Sequence, residues 1–240
     1  MNYYVDIFAN LLPGMPVFGD TALTQTQAAE RIAVFESSNI KSAVAAPLFQ
    51  PEAMTPAAFL AQRDALIRQV SVPDAIPYLV GGAILPLQYC LDHMRALEPF
   101  VIGQSQYFLV DLPRVPITEE FCETLSRLRI VSGLCPIAVD IERNYGCWSP
   151  EDWLTLRQTG ILLQMSIDGV LDPEQRRLSL YLLANQYVHF VATGAHPIRE
   201  PLRFTEAMRM IQRSLPSEFY RRVKNNPGML LSNAEPSVFV

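Results

Sequence analysis

Side chains that can bind metal ions or anions follow several short apolar runs in this 240-residue sequence. Carboxylates stand at Asp111 and Asp140, an imidazole at His196, and guanidinium groups at Arg143 and Arg199. Carboxylate oxygens and imidazole nitrogens bind divalent cations, and a guanidinium group binds anion oxygens as a two-pronged fork. These residue types therefore indicate a metal or anion site, provided that the fold brings their positions together.

Seven short apolar runs alternate with longer amphipathic stretches, and these are the elements that would position the candidate side chains. The runs are Tyr3–Phe8, Ile40–Ala46, Ala75–Ile84, Tyr107–Asp111, Cys135–Val139, Ile161–Met165 and Val188–Thr193. Such runs are typical of strands buried on both faces, and intervening helices imply parallel pairing. Sites in folds of this kind lie at the carboxyl ends of the strands, which is where the candidate residues fall.

Helix start signals lie between the apolar runs. Thr24 and Gln27 have the spacing of a capping box, and Thr55 precedes a proline at the first helical position. Further helices are predicted to begin at Ser149 and Asp172 and to span Leu202–Leu215 and Ser217–Lys224. This element order fits either a closed barrel or an open doubly wound sheet, and no glycine-rich nucleotide motif favours the open sheet.

Composition and charge restrict the class of protein. Half of the residues are hydrophobic and the net charge is −5, without a basic tract, so a nucleic acid partner is not expected. The first 18 residues lack a basic leader, and no apolar run is long enough to span a membrane. The four cysteines show no C-x-x-C pattern and are expected to be reduced thiols. We therefore expect one cytoplasmic domain over residues 1–240.

Five segments resemble, in their order along the chain, the motifs of one protein family. Val5 to Gly14 resembles D-I-H-S-H-I-L-P-G, Ala45 to Leu48 resembles A-T-P-H, Phe108 to Pro113 resembles L-(I/V)-E-(F/L)-P, Pro136 to Arg143 resembles P-V-I-A-H-P-E-R, and Val188 to His196 resembles V-H-F-I-A-S-D-A-H. These are motifs of the CpsB/CapC-type bacterial tyrosine phosphatases of the PHP superfamily. The resemblance extends from about Tyr3 to about Asn233, that is, over nearly the whole chain.

The resemblance implies an α/β fold, a distorted seven-stranded TIM-like (β/α) barrel. It also implies metal-dependent hydrolysis of phosphotyrosine on kinases that control capsule and exopolysaccharide synthesis. In that family a cluster of divalent metals, manganese among them, is held at the barrel mouth by histidines and carboxylates. Such a cluster polarises the phosphoryl group and supplies a hydroxide nucleophile.

Most of the metal ligands that the resemblance implies are replaced in this sequence. Phe8 and Asn10 stand where the first motif has histidines, and Leu48 stands where the second has one. Asp111 replaces a glutamate, Asp140 a histidine and Gly194 an aspartate. Asp111, Asp140 and His196 are the three remaining candidate ligands. Because a metal needs several ligands in fixed geometry, losing most of them abolishes binding, and no cofactor is expected.

The sequence leaves three functions open. The favoured one is a catalytically silent homologue that binds an anion or a protein, such as a bacterial tyrosine kinase or its phosphotyrosine tail. The second is a phosphatase with a reduced manganese site, in which Asp140 or His196 acts as base and Arg143 and Arg199 clamp the transition state. The third is a sugar hydrolase that uses Asp111, Asp140 and Glu142. Ion pairs of Asp111 and Asp140 with either arginine would instead make a plug in place of the metals.

Overall fold

The computed structural model describes residues 3–18, 22–71, 75–196 and 200–239. Eight strands occur within these residues: β1 Tyr4–Ala9, β2 Ile40–Ala45, β3 Tyr78–Gly81, β4 Ile84–Pro86, β5 Tyr107–Asp111, β6 Cys135–Ala138, β7 Leu162–Ser166 and β8 Phe190–Ala192. All pairings are parallel, in one sheet of order β1-β2-β3 and another of order β4-β5-β6-β7-β8. The expected α/β architecture with parallel strands is therefore confirmed.

The α-helices of the described residues lie between these strands and after β8. They are α1 Gln25–Ser37, α2 Pro56–Val70, α3 Leu87–Asp92, α4 Glu119–Ser132, α5 Pro150–Gln158, α6 Ile167–Leu171, α7 Arg176–Ala184, α8 Phe204–Ser214 and α9 Ser217–Leu231. Short 3-10 helices lie at Met94–Ala96, Glu98–Phe100, Ile141–Asn144 and Pro236–Val238. The capping signals at Thr24 and Thr55 are confirmed, since both hydroxyls accept backbone N–H bonds. The predicted start at Asp172 is wrong, because that carboxylate caps a turn and α7 begins at Arg176.

The single uninterrupted barrel of seven strands is not observed, because the expected strand Ala75–Ile84 is divided into β3 and β4. The break falls at Gly82 and Ala83. A Cβ at Gly82 would lie 2.6 Å from Val44 Cγ1, so the chain passes β2 too closely for any side chain at that point. The backbone leaves β2 there and pairs with β5 instead.

Isolated bridges join the two sheets at both edges. Ala9 pairs with Gly194, next to β1 and β8, and Leu48 pairs with Ile84, next to β2 and β4. Alternate residues of the strands, such as Ile7, Leu109 and Phe190, form an interior apolar cluster. The intervening residues pack against the surrounding helices in a second cluster. The strands therefore surround an interior core and carry the helices on their outer face.

The carboxyl-terminal segment closes the end of this core where the strands begin. Gln106 N–H donates to Asn233 Oδ1 (2.9 Å), and the Tyr107 hydroxyl donates to the carbonyl of Ala234. The Phe239 ring contacts Tyr107 and Phe190, at centroid distances of 5.9 and 5.2 Å. The carboxyl ends of the strands are at the opposite end, and the candidate site lies there.

Candidate functional site

Asp6 lies inside the strands and connects β1 with the end of β8. Its Oδ1 accepts from the N–H of Phe8 (2.9 Å), and its Oδ2 accepts from the N–H of Thr193 (3.0 Å). Burial raises the pKa of this carboxyl to about 7, against the lowering effect of those donors. Sequence reasoning assigns Asp6 no role, and the structure makes it the group that joins the first and last strands.

Asp140 follows β6 in a left-handed conformation, with φ of 45°. Its Oδ1 accepts from Gln164 Nε2 (3.3 Å) and its Oδ2 from the N–H of Ala195 (3.0 Å). Gln164 Oε1 in turn accepts from the N–H of Asp140 (2.8 Å). The residue is 2% exposed, and burial raises the pKa of its carboxyl to about 6. Both carboxylate oxygens are therefore used in holding the ends of β6, β7 and β8 together.

Gly194 gives Asp140 the space that it occupies. The glycine has φ of +65°, and a Cβ there would collide with Asp140 Oδ1 and lie 2.7 Å from Ser166 Cβ. The resemblance places an aspartate at this position. In this chain position 194 has no side chain, and the carboxylate of Asp140, which follows β6, occupies the adjacent space.

An aromatic–cation plug, made of Phe8, Phe18, Arg143 and Asp111, fills the mouth formed by the strand ends. Arg143 Nη2 donates to Asp111 Oδ1 in an ion pair, and the guanidinium carbon lies 4.0 Å from the centroid of the Phe18 ring. Phe18 meets Phe8 edge-on, with centroids 6.4 Å apart. Arg143 Nε also donates to the backbone carbonyl of Asp140 (3.3 Å). The plug thus combines a cation–π contact with a partly exposed ion pair.

His196 follows β8 and is oriented by Asp168, a residue that sequence reasoning missed. Its Nδ1 is 2.8 Å from Asp168 Oδ1, while its buried Nε2 has no hydrogen-bond partner. Because a carboxylate only accepts, Nδ1 is the donor in this hydrogen bond. Asp168 lies on α6, directly after β7, and its polar side chain after a buried strand was the available signal.

Arg31 on α1 was also missed, and it connects a helix to two strand ends. Its Nη1 donates to the carbonyl of Asn10 (3.3 Å) and its Nη2 to the carbonyl of His196 (2.7 Å). Burial lowers the pKa of the guanidinium. Asn10 Oδ1 is buried without a hydrogen-bond partner. No pattern in the sequence separates Arg31 from the exposed arginines of other helices.

A cavity of about 610 Å³ opens beside Arg143. It is lined by Arg114, Glu142, Arg143, Tyr145, Gly146, Glu174, Gln175 and Leu178. Glu142 accepts from the N–H of Ser166 (3.1 Å), and burial raises the pKa of its carboxyl to about 8. The cavity has the volume of a small-molecule site and carries two guanidinium groups at the end of the molecule where sites of parallel α/β folds lie.

The donor set does not fit a metal cluster. Across the described ranges, which omit residues 197–199, no three His, Cys, Asp or Glu side chains converge in a way that could hold a metal ion. Asp111 is paired with Arg143, Asp140 is bound by Gln164 and Ala195, and His196 is bound to Asp168, so the three candidate ligands are not assembled. Arg199, the remaining candidate, lies outside the described residues.

The fold of this chain is similar to the folds of several solved structures. It superposes with a TM-score of 0.79 and 20% identity on a chain from the crystal structures of YwqE from Bacillus subtilis and CpsB from Streptococcus pneumoniae, which are described as unique metal-dependent tyrosine phosphatases. The match covers 96% of this chain and 95% of the matched chain. A β-aspartyl dipeptidase from Fervidobacterium islandicum AW-1 gives a TM-score of 0.51 at 10% identity, covering 96% and 75%. The ADAL–IMP complex also gives 0.51, at 15% identity, covering 89% and 74%.

The sequence identifies the family. The sequence model of the family described as capsular polysaccharide synthesis, CpsB/CapC, matches residues 4–232, and this chain belongs to that family. The resemblance found in the sequence is thereby confirmed. No curated protein sequence shows a significant match to the chain. Within the described residues, no helix has the length and apolar character needed to cross a membrane.

Proposed function

We propose that this chain is a phosphatase homologue in which binding of a phosphorylated partner has replaced metal-dependent catalysis. The observation that carries the proposal is the aromatic–cation plug. Phe8 stands where the family motif has a metal-binding histidine, and its ring contacts Phe18, which in turn lies under Arg143. An apolar ring in that place disfavours the unpaired charges that hold metal ions.

The electrostatics of the strand ends support the same proposal. Arg143 forms an ion pair with Asp111, and burial raises the pKa of the Asp140 carboxyl to about 6 and that of Glu142 to about 8. A divalent ion could bind there only after the ion pair and the hydrogen bonds of Asp140 were broken. Each of those changes has a free-energy cost that a weak, incomplete ligand set does not offset.

The cavity beside the plug is where we propose that the partner binds. A guanidinium group has five N–H donors, and Arg143 uses two of them within the protein, while Arg114 on the rim is exposed. The two arginines can therefore bind the oxygens of a phosphate group. From the family, we propose a phosphotyrosine tail of a bacterial tyrosine kinase as the ligand and capsular or exopolysaccharide regulation in the cytoplasm as the setting.

Metal content and turnover, measured on one sample, test the loss of catalysis. The protein is dialysed against excess manganese and then against buffer, its metal is measured by elemental mass spectrometry, and p-nitrophenyl phosphate hydrolysis is assayed. We expect less than about a tenth of an equivalent of metal and no turnover. One or more retained equivalents with turnover would disprove the proposal.

Calorimetric titration with a phosphotyrosine peptide tests the binding function. Arg143→Ala should weaken binding at least about tenfold, because it removes a charge-assisted bond to phosphate. Arg127→Ala, an exposed arginine on α4 that is remote from this cavity's lining, is the matched control and should leave binding unchanged. Equal peptide affinities of the wild type and the Arg143→Ala variant would show that Arg143 does not bind the phosphate group.

The orientation of His196 favours a second candidate, a phosphatase that works with a reduced metal site. A histidine whose Nδ1–H is held by a carboxylate presents Nε2 as a base or ligand, and His196 has this arrangement. If this candidate is correct, manganese supports turnover, His196→Gln abolishes it and Asp168→Asn lowers it. A wild-type protein without turnover in the presence of manganese excludes it.

A further inference from the structure

Charge is unevenly distributed along this acidic chain. Residues 1–171 contain 10 arginine or lysine and 18 aspartate or glutamate residues, whereas residues 172–240 contain 9 and 6. The net charge of −5 therefore combines a strongly acidic first part with a basic last part. Segregated charge of this kind marks a surface that attracts a partner of opposite sign.

The basic part is presented by α8 and α9, which are joined by Leu215 and Pro216 and pack against each other. The apolar side of α8 is buried, and the opposite side exposes Arg209 and Arg213. α9 likewise exposes Arg221 and Arg222. We call these four residues the arginine face.

The arginine face is largely free of internal partners. Arg222 donates to Gln186 Oε1, but Arg209, Arg213 and Arg221 make no hydrogen bond or ion pair with any residue that the structure describes. None of these three guanidinium groups has a carboxylate within ion-pair distance among the described residues, although Glu206 and Glu218 are exposed on the same two helices. Their guanidinium groups remain available to a partner.

We propose that the arginine face docks an acidic polypeptide segment. Arg209 and Arg213 are one helical turn apart, so their side chains are neighbours on the surface at about 6 Å. Carboxylates on alternate residues of an extended segment have a similar separation, about 6.6 Å. Arginine binds carboxylate in a bidentate fork, which gives this pairing geometric as well as electrostatic preference.

Other polyanions fit the arginine face less well. Membrane-binding helices carry exposed apolar side chains beside their basic residues, and the large hydrophobic residues exposed in the described chain, such as Ile130 and Tyr78, are not on α8 or α9. A bilayer or a nucleic acid duplex would also extend beyond the face onto the acidic remainder of the molecule. A segment of about five extended residues matches the length of α8, about 16 Å.

Fluorescence anisotropy with a dye-labelled peptide of alternating glutamate and serine tests the proposal at low ionic strength. The variant Arg209→Gln/Arg213→Gln/Arg221→Gln should bind at least about tenfold more weakly than the wild type. The variant Arg68→Gln/Arg95→Gln/Arg127→Gln removes the same charge from exposed positions elsewhere and should stay within about twofold of it. Unchanged melting temperatures establish that both variants are folded.

The proposal is overturned if both triple variants lose affinity equally, since net charge alone would then explain binding. It is also overturned if the wild type does not bind at about millimolar peptide. Preferential binding to anionic lipid vesicles through the same arginines would assign the face to a membrane and equally overturn it. The peptide contains no phosphate and the face lies outside the cavity, so these results are independent of the metal and phosphotyrosine experiments.

Discussion

At the scale of single residues, Asp140 occupies the space that a side chain at position 194 would need, and Gly194 leaves that space free. The carboxylate of Asp140 accepts from Gln164 and from the N–H of Ala195, and it occupies the volume next to the glycine. Gly194 also has positive φ, a conformation that is unfavourable for residues with a Cβ. The two positions are therefore expected to depend on each other.

A double-mutant cycle tests this dependence. Gly194→Asp should destabilise the protein by about 2 to 4 kcal/mol, because the new side chain collides with Asp140 and Ser166. Asp140→Gly removes one of the colliding groups and suits the positive φ at that position. In urea denaturation the double variant should be more stable than the sum of the single effects by at least about 1 kcal/mol. Simple additivity would show that the two side chains do not compete for space.

Sequence reasoning can identify the residues at strand ends, but it cannot predict which of them contact one another. The ends of the apolar runs correctly predict four residues at the ends of strands: Asp111, Asp140, Arg143 and His196. Such residues lie near one another because the carboxyl ends of parallel strands meet at one edge. The ion pair of Asp111 with Arg143 was one of two pairings considered. The Asp168–His196 contact spans 28 residues, and the contacts of Arg31 depend on how α1 packs, so no local pattern encodes them.

At the scale of elements, α1 is fastened to the strand ends by Arg31. Its guanidinium group bonds the carbonyls of Asn10 after β1 and His196 after β8, at the point where the two sheets meet. A buried cation that satisfies two carbonyls does so at the cost of its own desolvation, which is consistent with its lowered pKa. Removing it would leave both carbonyls without these bonds.

Arg31→Met keeps most of the side-chain volume but removes the donors. We expect it to lower the free energy of unfolding by about 1 to 3 kcal/mol, the cost of leaving buried polar groups unsatisfied. Arg68→Met on α2, which replaces an exposed arginine, should change it by less than about 0.5 kcal/mol. Chemical denaturation of the two variants beside the wild type measures both. If Arg31→Met leaves the free energy of unfolding unchanged, water molecules replace the hydrogen bonds of the guanidinium group.

The elements themselves were largely predictable, with two instructive exceptions. Six of the seven expected strands match observed ones within a few residues, since their apolar runs are buried on both sides. The remaining run, Ala75–Ile84, forms two strands instead of one because Gly82 permits a close approach to β2. Composition does not reveal that tertiary requirement. Helix α9 extends through Pro227 to Leu231, beyond the predicted end at Lys224, because its last turn packs on the interior core.

At the scale of the whole molecule, burial inside the strands raises the pKa of several carboxyl groups. Burial raises the pKa of Asp6 to about 7 and that of Glu142 to about 8. Their unfolded pKa values are near 4, so between these limits the folded protein binds more protons than the unfolded chain. Its stability must therefore fall as the pH rises through this window.

His189 acts in the opposite direction but in a lower range. Its buried ring accepts from the N–H of Leu163 (3.0 Å), and burial lowers the pKa to about 4. Stability from the neutral imidazole is present above its unfolded value, near 6.5, and is lost as the pH falls toward 4. Above pH 6.5 this contribution rises by less than about 0.5 kcal/mol, because the unfolded imidazole is already half deprotonated at that pH, and the carboxyl groups set the larger trend.

Urea midpoints measured between pH 6.5 and 8 should therefore decrease steadily for the wild type. Asp6→Asn cannot ionise, so its midpoints should decrease less over the same interval, although it is less stable at pH 6.5 because one acceptor for Phe8 or Thr193 is lost. Asp92→Asn, an exposed aspartate at the end of α3, should retain the wild-type slope. Parallel slopes for the wild type and Asp6→Asn would mean that Asp6 is already ionised at pH 6.5, and that the interior tolerates a charge which its burial otherwise opposes.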